Sequence, residues 1–209
     1  HITYLTAFQR DVYLKHGLSP SKWSLIPNIV TVKEPSYDSV STLRKALTEK
    51  TSSSMLIDYI GRLEQSKQID VFIATVAKLR KSGIDVGGVI VGTGPDDYVS
   101  FLKAEASRLG VSQNISFEGF SDVPEQYISA CDIGLFPTQW KEALPNFIIE
   151  TFALGKTIVV SSIPQLSKVV KDKGDSLVAE THSAECYAEK VLKMIENNGE
   201  LKRRLEEGA

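Results

Sequence analysis

The chain has 209 residues, of which 42% are hydrophobic, 24% charged and 8% aromatic. This is ordinary globular usage with enough chain to bury a core unaided, which excludes a disordered tail, a collagen and a disulfide mini-protein. Lysine plus arginine is 24 against 26 aspartate plus glutamate, a net charge of −2, so the basic excess of a nucleic-acid binder is absent. Residues 2–16 are compatible with one helix, and Ser24-Leu25-Ile26-Pro27-Asn28 with a short strand and turn. Residues 33–54 are polar and rich in Ser and Thr. Residues 1–54 therefore read as a connector and lead-in strand rather than as a second domain. The first residue is His rather than Met, as expected of a chain processed or cut from something larger.

From residue 55 onward, apolar runs and turn signals alternate. Residues 55–60 form a strand ended by Gly61. Ile69, Phe72, Ile73, Val76 and Leu79 then recur at helical spacing until Gly83. Residues 86–91 are a second strand, closed by Gly92-Thr93-Gly94-Pro95. Tyr98, Phe101, Leu102 and Leu109 mark a helix that Gly110 ends. A strand at 115–117, a short helix at 124–130 and a strand at 133–136 follow. The next helix, 145–154, opens on Pro145 and stops before Gly155. A strand at 157–160, a short helix at 166–170, a strand at 176–178 and an amphipathic helix at 183–197 complete the pattern. The charged run 202–207 reads as a solvated helix face.

Strands alternating with helices at this spacing predict βαβ units. The strands are apolar throughout, as a sheet covered on both faces requires. The expected fold is α/β over residues 55–209: a doubly wound, Rossmann-like parallel sheet of about six strands. Cys131 and Cys186 sit in apolar or helical surroundings and read as buried free thiols in a reducing compartment. With only His1, His16 and His182 besides, no metal-ligand spacing appears, and no metal is expected. No apolar run approaches the roughly 20 residues of a membrane span, and there is no signal peptide.

In such a sheet, ligands sit beyond the carboxyl ends of the strands. The loop after the first strand, Gly61-Arg62-Leu63-Glu64-Gln65-Ser66-Lys67, carries two cations five residues apart. An arginine fork and a lysine point charge suit two adjacent phosphates. They equally suit an ordinary charged surface loop. The glycines of 92–95 permit a close backbone approach to a ligand, or simply make a turn. Glu142 precedes the helix at Pro145, whose free N–H groups favour an anion. Glu150 lies about 7.5 Å further along that helix, among apolar neighbours, where hydroxyl or amide partners are needed. A capping glutamate and an internally satisfied one are the alternative.

Taken together, these motifs resemble the C-terminal, donor-binding domain of GT-B fold glycosyltransferases, specifically glycosyltransferase family 4. The carriers are Gly61-Arg62-Leu63 with Lys67, then Gly92-Thr93-Gly94-Pro95, then Phe117-Glu118-Gly119-Phe120, then Glu142 and Glu150 with seven residues between them. Ile26-Pro27-Asn28 also resembles the family's segment just after the domain crossover. The resemblance implies that Gly61, Arg62 and Lys67 hold the diphosphate of a sugar nucleotide. Glu142, with Pro145 and the backbone N–H groups of Ala143, Leu144 and Asn146, reaches the transferred sugar and its phosphate. Glu150 takes the ribose hydroxyls, and Gly92, Gly119 and Phe120 lie along the nucleoside.

The departures are Ala143 and Gln68 where the family often has glycine, and Ile29 where it usually has glycine after Asn28. Ala143 keeps its N–H beside a small methyl, and Gln68 is expected to matter little. The implied activity is retaining transfer of a hexose-type sugar to a hydroxyl acceptor, in polysaccharide or glycolipid synthesis. No cofactor is implied; Glu142, Arg62 and Lys67 carry the chemistry. The acceptor is expected to be bound mainly by the missing N-terminal domain, which also supplies any peripheral membrane contact, in the cytoplasm. A GT-B sugar-nucleotide epimerase and a non-catalytic doubly wound nucleotide-binding module remain as alternatives.

Overall fold

The apolar runs beyond residue 55 pair side by side into one parallel sheet in the computed structural model. It describes residues 1–18, 21, 23–26, 28–139, 145–164, 166, 170, 176–196 and 203. In chain order the elements are β1 (Ile2–Tyr4), α1 (Ala7–Lys15), β2 (Trp23–Leu25), α2 (Tyr37–Thr51), β3 (Met55–Ile60), α3 (Ile69–Lys81), β4 (Val86–Val91), α4 (Asp96–Arg108) and β5 (Ile115–Gly119). They continue with α5 (Pro124–Ala130), β6 (Ile133–Phe136), α6 (Asn146–Ala153), β7 (Ile158–Ser161), β8 (Ser176–Ala179) and α7 (Ala184–Ile195).

The six strands β3 to β8 form a sheet of order β5-β4-β3-β6-β7-β8, with every neighbouring pair parallel. The chain winds outward from β3 to β5, returns to lie beside β3 as β6, and winds outward the other way. The order therefore reverses between β3 and β6. The loops leaving their carboxyl ends part there and open a crevice.

Helices cover both faces. Ile57 and Tyr59 of β3 point toward Phe72, Ile73 and Val76 of α3. Leu56, on the opposite face, packs with Leu47 of α2 and with Ala130 and Cys131 at the end of α5. Each fully buried side chain of this kind contributes about 1.5–3 kcal/mol by leaving water. Asp58 shares the α2–α5 face by strand alternation and is wholly buried. Burial pushes its carboxyl well above the usual range, against the opposing pull of Lys156. The neighbouring Cys131 thiol is pushed up in the same way, and both cysteines are free thiols.

The N-terminal segment differs from its sequence expectation. Residues 2–16 are a strand followed by a helix capped by Thr6, whose hydroxyl accepts from the Gln9 N–H. β1 and β2 pair as a separate two-stranded parallel sheet. Residues 37–51, expected within a polar connector, are a full helix. Its apolar stripe is Val40, Leu43 and Leu47, set against the sheet. Ser36 caps its start, and Ser52 ends it in left-handed backbone. The short helix expected at 166–170 lies largely outside the described residues, as does most of the charged run 202–207.

Candidate functional site

The crevice at the β3/β6 reversal holds a cavity of about 500 Å³. It is built by stitching strand-end loops to one another. The Gly61 N–H donates to the Val91 carbonyl at 3.0 Å, and Leu63 to Thr93 at 2.9 Å. The Gly92 N–H in turn donates to the Gly119 carbonyl at 2.7 Å. Gly92 has φ +140°, and a Cβ there would lie 1.9 Å from the Gly61 oxygen, so only glycine permits this contact. The Tyr59 hydroxyl donates to the Arg62 carbonyl at 2.9 Å and fixes the loop from beneath. On the other wall, the Gln139 N–H and the Thr138 hydroxyl both reach the Ser66 carbonyl.

This framework brings together residues that are far apart in sequence. Gly61, Arg62 and Lys67 line the cavity from the β3 loop, and Gly92 from the β4 loop. Phe120 lines it beyond β5, and Pro145, Asn146 and Glu150 from the start of α6. Gly119 holds the rim through its carbonyl rather than facing the space. Glu142, Ala143 and Leu144 lie outside the described residues. The helix starts one residue later than expected: Pro145 is the cap with extended backbone, and among the described residues no side chain caps the helix. Among those residues its first-turn N–H groups thus find no capping oxygen of the usual kind.

Lys67 is buried, and its Nζ stands 5.8 Å from the centre of the Phe136 ring. Burial pushes its ammonium below the usual lysine range, Arg62 pushes it further, and Glu64 opposes both. Arg62 projects into solvent and is ion-paired with Glu64. Glu150 is half-buried rather than deeply so. Burial, reinforced by the charge of Glu125, raises its carboxyl above the usual range. Beneath these groups lies an aromatic floor. Tyr59 stacks on Phe136 at 6.1 Å and meets Phe147 edge-on at 6.3 Å. Sequence reasoning passed over this floor, although each ring sits at a strand end or in the first turn of a helix beside a loop already singled out.

Gln68 departs from expectation. It occupies left-handed backbone, φ 50° and ψ 47°, at the start of α3, and its buried Oε1 has no hydrogen-bond partner. A glycine there would be free of this strain, so the Gln68 departure has a structural cost that the sequence reading discounted.

Comparison with known proteins places this geometry. A family model described as glycosyl transferases group 1 matches residues 41–209. The chain is 24% identical over 159 residues to an alpha-D-kanosaminyltransferase of Streptomyces kanamyceticus, covering 74% of this chain and 39% of that protein. It is 28% identical over 157 residues to a GDP-mannose-dependent alpha-(1-6)-phosphatidylinositol dimannoside mannosyltransferase of Mycobacterium tuberculosis, with the same coverage, 74% and 39%. The chain thus spans about two-fifths of the length of these relatives. Among solved structures, Anabaena HepE in complex with UDP and glucose superposes with a TM-score of 0.89 at 19% identity, over 99% of this chain and 56% of that one. No helix among the described residues is long and apolar enough to cross a membrane.

Proposed function

The chain belongs to the group 1 glycosyl transferases, and from that membership we propose that it is the donor-binding half of a retaining glycosyltransferase. The reaction moves a hexose-type sugar from a nucleoside diphosphate sugar to a hydroxyl acceptor. The observation that carries this reading is the convergence of Arg62, Lys67 and the first turn of α6 on one cavity. Two cations and a helix N-terminus form an anion site with room for a diphosphate, and the aromatic floor limits access of water from below.

In the reaction, the bond between the sugar's anomeric carbon and the diphosphate oxygen breaks. Its electron pair leaves with the nucleoside diphosphate. The acceptor oxygen bonds to the same carbon with retained configuration, and its proton passes to the departing phosphate. Negative charge grows on the leaving group as the bond breaks. Arg62, Lys67 and the α6 N–H groups stabilise that charge in place, so this mechanism calls for no metal. Glu142 and the N–H groups of Ala143 and Leu144 serve the transferred sugar. Glu150 accepts from the ribose hydroxyls, and Gly119 and Phe120 border the base.

The acceptor is held mainly by an N-terminal domain that precedes residues 1–54, at the cytoplasmic face of a membrane, in polysaccharide or glycolipid synthesis. The greater length of the relatives supports this arrangement. Residues 1–209 alone should bind donor better than they turn it over. The test is a calorimetric screen of UDP-, GDP- and ADP-sugars, followed by transfer assays on the protein carrying its N-terminal domain. The expected result is binding of one donor and sugar transfer that depends on an acceptor. Epimerised donor formed without any acceptor would favour the sugar-nucleotide epimerase. Binding of none of the three would overturn the reading.

A further inference from the structure

One hydrogen bond ties the N-terminal segment to the crevice. The Asn28 Nδ2 donates to the Asn146 Oδ1 at 2.9 Å, across 118 residues of sequence. Asn146 is the first residue of α6 and lines the cavity. Asn28 is half-buried and follows β2 closely. The β1–β2 ladder continues one residue past β2, where the Ile26 N–H donates to the Tyr4 carbonyl at 2.9 Å. Asn28 therefore leaves a fixed ladder only two residues before it meets Asn146.

A carboxamide has a donor end and an acceptor end, and an isolated one at a helix start presents either to an anion. The bond from Asn28 removes that ambiguity by engaging the acceptor end. Among the described residues no group engages the Nδ2 of Asn146, which keeps its two N–H donors available. We infer that Asn28 is a positioning residue of the donor site: it holds the Asn146 carboxamide with its donor end available to the diphosphate. The inference rests on the donor-site reading above. It adds that the segment carrying β1 and β2 contributes to anion binding through Asn146, without itself touching the ligand.

The test is calorimetry with two probes, UDP and uridine, on wild type, Asn28→Ala, Asn28→Asp, Asn146→Ala and the double alanine variant, with GDP and ADP as further diphosphate probes. Loss of one neutral hydrogen bond should lower UDP affinity about fivefold in Asn28→Ala. Asn28→Asp keeps the shape but can only accept. It turns the Asn146 Nδ2 toward itself and the Oδ1 toward the anion, so UDP affinity should fall further than in Asn28→Ala. Uridine, which has no phosphate, should bind all variants equally. On the Asn146→Ala background, Asn28→Ala should have no further effect.

Equal UDP affinity in wild type and both Asn28 variants would overturn the inference. So would an equal loss for uridine, or an undiminished Asn28→Ala effect on the Asn146→Ala background. Failure of wild type to bind any of UDP, GDP and ADP would instead overturn the donor-site reading on which the inference depends.

Discussion

Lys67 carries its charge where burial against Phe136 strips away water, so its proton is held less tightly than in an ordinary lysine. A bound diphosphate reverses that. It favours the charged form, and binding takes up a proton wherever Lys67 of the unliganded protein is partly neutral. UDP affinity should therefore fall as pH rises from Lys67's depressed value toward 10.5. Above about pH 8 the terminal phosphate of UDP is already fully ionised and adds no slope of its own. Calorimetry across that range checks this, with Lys67→Arg, which stays charged, expected to flatten the decline. An equal slope in both proteins would mean that Lys67 does not face the phosphates.

Two further residues carry costs that substitutions should expose. Gln68 pays for left-handed backbone and for an unpartnered buried oxygen. Gln68→Gly should raise stability by about 1 kcal/mol, read from denaturant midpoints. Asp58 holds its proton more tightly folded than unfolded, so the folded state binds more protons in that window. Its contribution to stability therefore falls as pH rises above 3.8, its ordinary value. Melting temperatures of Asp58→Asn and wild type should diverge in favour of the variant as pH rises above 3.8. A constant difference would mean that Asp58 is ionised in the folded protein.

At the scale of elements, the sheet was legible because its strands are buried on both faces and leave unbroken apolar runs. β3, β4, α5 and β6 lie where those runs and their turn residues predict. α2 was missed because only a narrow stripe of it is buried. Val40, Leu43 and Leu47 are diluted by Ser, Thr and Lys, so composition suggested a connector where periodicity held the signal. β1 and α1 blurred into one predicted helix because a three-residue strand is too short to show alternation. Arg62 and Lys67 were visible as a pair on one loop, and their meeting with the start of α6 on one crevice followed from the doubly wound topology, whose order reverses between β3 and β6, rather than from any local pattern. The Asn28–Asn146 contact was illegible, because nothing local to either residue, nor the topology of the sheet, announces a partner 118 positions away.

At the scale of the whole molecule, two parallel sheets of unequal size share the chain. The larger has six strands and both faces covered; the smaller has two strands. Two parallel strands alone are marginal in water. Exposed Leu14, Leu18, Leu25 and Ile26 lie in and beside that smaller unit. The crevice cavity sits on the larger sheet, toward the side where the smaller unit's chain crosses to it through Asn28. On the proposed function, donor binding should be a property of these 209 residues, and transfer should need the acceptor's domain as well.

The measurement that bears most directly on the central claim is calorimetric titration of UDP into wild type, the Arg62→Ala/Lys67→Ala double variant and Glu150→Ala. Each charged hydrogen bond contributes about 1.5–3 kcal/mol, so the double variant should lose at least about a hundredfold in affinity. Glu150→Ala should lose about fivefold to a hundredfold, since its proposed partners are ribose hydroxyls common to UDP and uridine. The melting temperature of Glu150→Ala should match wild type, because Glu150 is only half-buried, whereas the double variant should melt lower, because it loses the buried Lys67 side chain as well as the exposed Arg62. UDP bound by the double variant as tightly as by wild type would place the phosphates elsewhere and contradict the account.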